Sequence, residues 1–264
     1  MDFMVCVYGD NGEEAYFPEI NRLGAGVELQ SYGFKGAVSM KAWDERLALH
    51  SSLRPKIAGR AAVHGPFIGM AYDHKDCLLM EATRRRMDMT FDVVKRLKPD
   101  TLVMHSGITP LSAKSEEDAW VKAVSAFWKE EIKRYKAIGV RVVLENTAER
   151  SPDTIVRLLD AVGDPSLGIC LDVGHANYAS DLKPCDWVSP LSKWLKHIHL
   201  HDNNGREDEH LPVGRGNIDF KKLFSAFERY TPDVTVSLEV EEKPDVIIEN
   251  FRLVLAMAKG PVNG

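Results

Sequence analysis

The sequence predicts an α/β protein folded as a single (β/α)8 TIM barrel, with residues 1–264 as one domain. Three observations lead there. Short apolar, β-branched runs recur eight times, each separated from the next by a longer stretch, several of them with helical periodicity. The runs are nearly continuous in apolar residues, as strands buried on both faces must be. The length, 264 residues, suits one such barrel, for which about 250 is typical.

In order, the candidate strands are "FMVCVYG" (3–9), "GVELQ" (26–30), "AAVHG" (61–65) and "TLVMHSG" (101–107). They continue with "RVVLEN" (141–146), "LGICLDVG" (167–174), "KHIHLHD" (196–202) and "VTVSLEV" (234–240). Amphipathic segments lie between them, among them "CLLMEATRRRMDMTFDVVKRLK", "SEEDAWVKAVSAFWKEEIKRYKAIG" and "SPDTIVRLLDAVG". The last predicts a helix with Ser151 as N-cap, Pro152 at its first position and Gly163 as its stop. "IDFKKLFSAFERY" and "KPDVIIENFRLVLAMAKG" supply the final helices. No internal repeat, linker or low-complexity tract divides the chain.

Composition sets further bounds. Hydrophobic residues make up 44% and charged residues 28%, enough apolar material for a large core. A net charge of −5 argues against an extended phosphate-binding surface. The four cysteines form no C-x-x-C pair, and Cys6 and Cys170 sit in apolar runs as reduced core residues. The N-terminal stretch carries Asp2, Asp10, Glu13 and Glu14 with no basic region, unlike a signal peptide. No apolar run approaches the ~20 residues of a membrane span. A soluble, cytoplasmic protein is expected.

Six residues of metal-binding type then fall at the C-terminal ends of six successive strands: His64, His105, Glu145, Asp172, His199 and Glu239. That face is where barrels of this kind carry their chemistry. The three carboxylates are embedded in apolar runs, where a charge costs several kcal/mol unless paired or bound to a cation. The strand ends hold almost no Lys or Arg to pair with them; they hold histidines. Carboxylates with imidazoles and few cations point to divalent metal. "DVGH" sets Asp172 and His175 three apart across a sharp glycine turn, and "DEH" sets Asp208 and His210 on one side of an extended loop. His199 is the metal ligand of "HIHLHD"; His197 lies a layer deeper and His201 supports the ligands. His50 and His74 have no such context and read as surface or helix residues.

The motifs "HGPF", "MHSG", "LENTAERS", "CLDVGHAN", "HLHDNNGREDEHLPVGRGNID" and "SLEV" resemble the xylose isomerase-like barrel superfamily, and within it the endonuclease IV group. The resemblance runs in order from His64 to Glu239. It implies three zinc ions at the barrel mouth, with manganese the alternative metal. One would take His64, His105 and Glu145. A second would share Glu145 and add Asp172, His199 and Glu239. The third would take His175, Asp208 and His210. Such a centre implies phosphoester hydrolysis, with Glu145, Glu239 and His199 closest to the chemistry. Four of the nine positions (Glu145, Asp172, His199, Glu239) also match the one-metal tetrad of ketose epimerases and sugar isomerases, in which two glutamates move the proton. That alternative stays open.

Duplex DNA is disfavoured as substrate. Phe67 stands where DNA-repair members have Tyr, Asn204 and Gly205 replace an expected lysine, and the chain is acidic. A small phosphorylated molecule, such as a nucleotide-like or cofactor phosphodiester, is the expected substrate. Arg206, Arg215 and Glu28 are candidates to contact it. The amides of "GRG" (214–216) form either an anion site or a plain tight turn. Trp120 and Trp128 read as packing residues, and "RRR" (84–86) as a solvated helix face.

Overall fold

The apolar runs form eight parallel strands: β1 (Asp2–Val7), β2 (Gly26–Leu29), β3 (Ala61–His64), β4 (Thr101–His105), β5 (Arg141–Glu145), β6 (Leu167–Asp172), β7 (Leu195–Leu200) and β8 (Thr235–Leu238). Each pairs with the next, and β1 pairs with β8, so the sheet closes into a barrel. The computed structural model describes residues 1–8, 12–30, 32, 39–108 and 114–259. Gly9, Asp10 and Gly260, which the sequence reading included, lie outside them.

All eight expected strands are present, each ending one or two residues early. Gly65, Ser106 and Asn146 have already left the ladder to begin the loops that carry the mouth of the barrel. The strand interiors are buried on both faces: Val142, Val143 and Leu144 have no exposure. The main apolar core lies between sheet and helices, whereas Val103, Val143 and Cys170 form a separate small cluster. Side chains two apart share a face of a strand. Val103 therefore faces the same way as His105, Val143 as Glu145, and Cys170 as Asp172. An apolar floor underlies the polar layer that closes the barrel.

Around the sheet run α1 (Phe17–Arg22), α2 (Met40–Leu53), α3 (Cys77–Leu97), α4 (Lys114–Ala137) and α5 (Asp153–Val162). They are followed by α6 (Val173–Ala179), α7 (Pro184–Leu191), α8 (Phe220–Tyr230) and α9 (Pro244–Ala258). The amphipathic pattern buries Ile155, Leu158 and Leu159 of α5, and Leu223, Phe224 and Phe227 of α8. Gly163 ends α5 at φ 70°, a left-handed position that favours glycine. The start of α5 differs from expectation: Pro152 is the capping residue, without a side-chain cap bond, and Ser151 lies outside the helix.

The expected strand 167–174 is also cut short. Asp172 accepts a hydrogen bond from the His175 amide at 2.7 Å and so caps α6, turning residues 173 and 174 into helix. Trp120 and Trp128 are buried, as packing residues should be. Arg84 and Arg85 lie exposed on α3. Among the described residues no helix is long and apolar enough to cross a membrane.

Candidate metal centre

His64, His105, Glu145 and Asp172 are the last residues of β3, β4, β5 and β6. His199 is the penultimate residue of β7, and Glu239 follows β8. Parallel register sets His105 beside Glu145 and Asp172 beside His199. The closed barrel therefore brings six elements to one point.

Three groups of side chains meet there. In the first, His64 Nε2 lies 3.0 Å from Glu145 Oε2 and His105 Nε2 3.7 Å from Glu145 Oε1. In the second, His199 Nδ1 lies 2.9 Å from Glu239 Oε2, 3.3 Å from Glu145 Oε2 and 3.8 Å from Asp172 Oδ2. In the third, Asp208 Oδ2 lies 3.2 Å from His175 Nε2 and 3.0 Å from His210 Nε2. Glu145 belongs to more than one group, because its Oε1 is also 3.2 Å from His175 Nδ1. The structure thus places all nine candidate ligands at one mouth.

The other ring nitrogen of most of these histidines is already occupied. His64 Nδ1 meets the Gly65 carbonyl at 2.9 Å, His175 Nδ1 the Asn146 carbonyl at 2.8 Å, and His210 Nδ1 the Glu239 carbonyl at 3.2 Å. His199 Nε2 meets the Glu28 carboxylate at 3.0 Å. Each of these acceptors draws the ring proton to its own side. The remaining nitrogen then turns its lone pair toward carboxylate oxygens. His199 Nδ1 is buried and makes no hydrogen bond although three carboxylates surround it. A lone pair facing carboxylates is repelled unless a cation stands between them. Nitrogen and oxygen donors so arranged suit zinc or manganese, and the residues fit the metal.

Without metal, protons take that place. Burial opposes a charged His175, yet Asp172, Asp208 and Glu145 outweigh it and hold its pKa well above the usual value. Burial likewise opposes charge on His199, but Cys170, Glu239, Glu28 and Glu145 raise it. For His210 burial is again overcome, by Asp208 and Glu239, and its pKa is pushed up to about 10. His105 goes the other way, to about 4, because burial dominates over Glu145. Burial would lift Glu145, but His105 and His199 hold it well below the carboxylate range.

The cavity over these groups has a volume of about 180 Å³, and Tyr8, Gln30, Phe67 and Glu241 complete its lining. Phe67 stacks on the His105 ring at 4.4 Å and meets His64 edge-on at 5.7 Å. No Lys or Arg lines the cavity among the described residues. Cys170 lies below, grouped with His197 and His199. Burial pushes its thiol pKa up, which keeps it neutral.

The three expected substrate contacts are not brought to the mouth. Arg206 is exposed and does not line the cavity. Arg215 is exposed too, in a separate groove with Val246, Glu249 and Leu253 of α9. The reason lies in the loop: the amides of Gly214 and Gly216 donate to Asp202 Oδ2 at 3.0 and 2.8 Å. Asp202 Oδ1 also accepts from the Asn203 and Ile218 amides. The "GRG" amides do bind an anion, but it is the chain's own carboxylate, and Arg215 is turned outward. Glu28 is fully buried beneath His199 and cannot reach a substrate at the mouth.

Of the remaining histidines, His197 lies in the deeper layer and His201 holds Asp172, with its Nε2 3.0 Å from Oδ1. His74 is exposed, whereas His50 is buried on α2 against the Tyr32 hydroxyl. Gln30 and Asn146 were not singled out in the sequence. Gln30 bonds Glu239, and Asn146 bonds the Asp172 backbone through both ends of its amide. The only signal for them was a polar residue inside or beside an apolar run.

His201 is itself packed against backbone. A Cβ on Gly174 would stand 1.9 Å from the His201 ring. Gly174→Ala is therefore expected to push that ring off Asp172 and destabilise the fold by about 1–3 kcal/mol. Thermal unfolding would register this as a fall of several degrees, at roughly 2–4 °C per kcal/mol. An unchanged midpoint would contradict the packing argument.

Comparison with known proteins agrees with the geometry. The xylose isomerase-like TIM barrel family matches residues 26–257. The probable endonuclease 4 of Mycobacterium leprae is 27% identical over 180 residues, covering 62% of this chain and 68% of that protein. The TTHB071 protein from Thermus thermophilus, in a crystal soaked with zinc chloride, superposes with a TM-score of 0.77 at 29% identity over 98% of both chains. A D-tagatose 3-epimerase-like protein superposes with a TM-score of 0.80 at 21% identity, covering 98% of this chain and 97% of that one, a likeness of fold. The chain belongs to the xylose isomerase-like TIM barrel family.

Proposed function

We propose that the protein is a divalent-metal-dependent hydrolase of a small phosphodiester, with zinc or manganese held by the nine residues at the barrel mouth. One observation carries this reading. His175, Asp208 and His210 gather on a shared carboxylate oxygen beside two further ligand groups. A one-metal sugar epimerase needs only Glu145, Asp172, His199 and Glu239 and has no use for the others. The similarity to a probable endonuclease 4 supports the same reading.

When bound, the metals supply a water of lowered pKa as nucleophile and offset charge on the leaving oxygen. The chain's own residues arrange that chemistry. Glu145 turns one oxygen toward His64 and His199 and the other toward His105 and His175, so it bridges the groups. Phe67 covers His105 and shields one side of the site from water. Substrate size follows from charge and volume. A cavity of about 180 Å³ with Glu241 at its rim and no lining Lys or Arg among the described residues offers nothing to neutralise a run of phosphates. Duplex DNA needs such neutralisation. A single phosphodiester does not.

A second reading, as a sugar or sugar phosphate isomerase or epimerase, rests on Glu145 and Glu239 standing on either side of His199 Nδ1, at 3.3 and 2.9 Å. Two glutamates so placed are the acid/base pair that chemistry requires. Metal counting separates the two. Elemental analysis of protein purified without chelator is expected to give about three equivalents of zinc or manganese. His210→Ala is expected to lose one of them, and with it hydrolysis of bis(4-nitrophenyl) phosphate. One equivalent, unaffected by His210→Ala, together with turnover of a ketose, would favour the epimerase.

A further inference from the structure

We propose that Glu28 and Gln30 are positioning residues that fix the orientation of His199 and tie it to Glu239, a brace supplied by a strand that contributes no metal ligand. The inference rests on the metal-centre reading above and assigns the polar layer beneath it.

Strand β2 places Glu28 inside the barrel, and Gln30, one residue past the strand end, shares its face. They are 0% and 3% exposed. Glu28 is engaged at both oxygens. Oε1 accepts from His199 Nε2 at 3.0 Å and from Gln30 Nε2 at 3.2 Å. Oε2 meets His197 Nε2 at 2.9 Å and accepts from Ser237 Oγ at 2.7 Å. No Lys or Arg is among these partners. A carboxylate buried this deeply is costly to keep, so its placement calls for a reason.

The reason lies in the ring of His199. With its Nε2 proton donated downward to Glu28, the imidazole must present Nδ1 upward, where Glu239, Glu145 and Asp172 converge. A carboxylate behind an imidazole also makes the facing nitrogen a better metal ligand. Gln30 extends the same control sideways, for its amide nitrogen donates both to Glu28 and to Glu239 Oε1 at 3.0 Å. One amide thus sets the spacing between the carboxylate behind His199 and the carboxylate beside it. His197, joined to Thr235 on its far side, holds Glu28 from below.

A polar plug that merely filled the barrel would tolerate Glu28→Gln, which keeps size and shape. On the brace reading it would not. The new amide has a single oxygen to offer two imidazoles and a single NH2 group that faces the other, so one ring loses its acceptor. The experiment uses the full chain loaded with zinc and carrying 15N-labelled histidine. The unsubstituted protein is expected to show His199 protonated at Nε2 only. In Glu28→Gln, competition with a chromophoric chelator is expected to show one zinc bound about 10- to 100-fold more weakly. The remaining zincs should keep their affinity.

Unchanged affinity at every site in Glu28→Gln would overturn the brace while leaving the metal centre standing. If the unsubstituted protein takes up no zinc, the metal centre falls and the brace falls with it. Should Glu28→Gln fail to fold, the spectrum of the unsubstituted protein decides alone. His199 protonated at Nε2 upholds the brace, and His199 protonated at Nδ1 overturns it.

Discussion

Glu145→Gln is expected to lower kcat/KM on a phosphodiester by roughly a thousandfold or more. Both Glu145 oxygens are engaged, one toward His64 and His199, the other toward His105 and His175. Glutamine keeps the volume but removes one of the charges that gather the metals and aims an NH2 group at nitrogens that should face a cation. Metal-borne charge stabilisation is worth several kcal/mol, and each 1.36 kcal/mol is a factor of ten in rate. Steady-state kinetics on metal-loaded protein checks this, with elemental analysis alongside to record which metals leave. A variant within tenfold of the unsubstituted protein would remove Glu145 from the bridging role.

Stripping the metals should be costly to the fold, and increasingly so as pH rises. A ligand at a thousand times its dissociation constant contributes about 4 kcal/mol per site. At roughly 2–4 °C per kcal/mol, each filled site raises the unfolding midpoint by on the order of 10 °C. The pH dependence follows from the histidines. In metal-free protein His175, His199 and His210 have folded pKa values above the unfolded one. The stability they contribute is complete below the unfolded value of about 6.5 and is lost as pH climbs through the folded values. For His210 that loss extends to about 10. Metal needs the same nitrogens unprotonated, so loading releases protons and tightens as pH rises. Calorimetry with zinc and with chelator, at several pH values between about 6 and 9, should show a gap that widens upward. A gap that narrows would contradict this charge arrangement.

The barrel was legible because burial on both faces leaves an unmistakable mark, a near-continuous apolar run repeated eight times. The cluster of candidate ligands was legible for a related reason. His64, His105, Glu145, Asp172 and Glu239 interrupt or end such runs with groups that water would otherwise claim. The boundaries were harder to read. Residues 173 and 174 look like strand by composition, and only the Asp172 carboxylate, by capping the His175 amide, makes them helix. Helices α1, α2, α6 and α7 were not singled out either, and α7 holds Pro190, which obscures helical periodicity. The positions of the candidate substrate contacts were hidden for a different reason. Arg215 stands near the candidate ligands in sequence, but a loop's direction is set by its own hydrogen bonds, here from Gly214 and Gly216 to Asp202. Glu28 read as a candidate substrate contact, and only barrel closure, which carries β7 and β8 to it, sets it behind His199.

Asp202 and Leu211 pair through both backbone bonds, at 2.8 and 2.9 Å, so residues 203–210 leave and rejoin the barrel at a single neck. The four amides that clasp the Asp202 carboxylate tighten that neck further. Asp208 and His210 therefore ride on a loop with a narrow base, while the other seven candidate ligands belong to strand ends or to the first turn of α6. A loop cinched at its base can be shortened, lengthened or rewritten without shifting the register of β7 or β8. Editing that one loop would add or remove Asp208 and His210, two members of the third group, while His175 stays on α6 and the barrel stays in place.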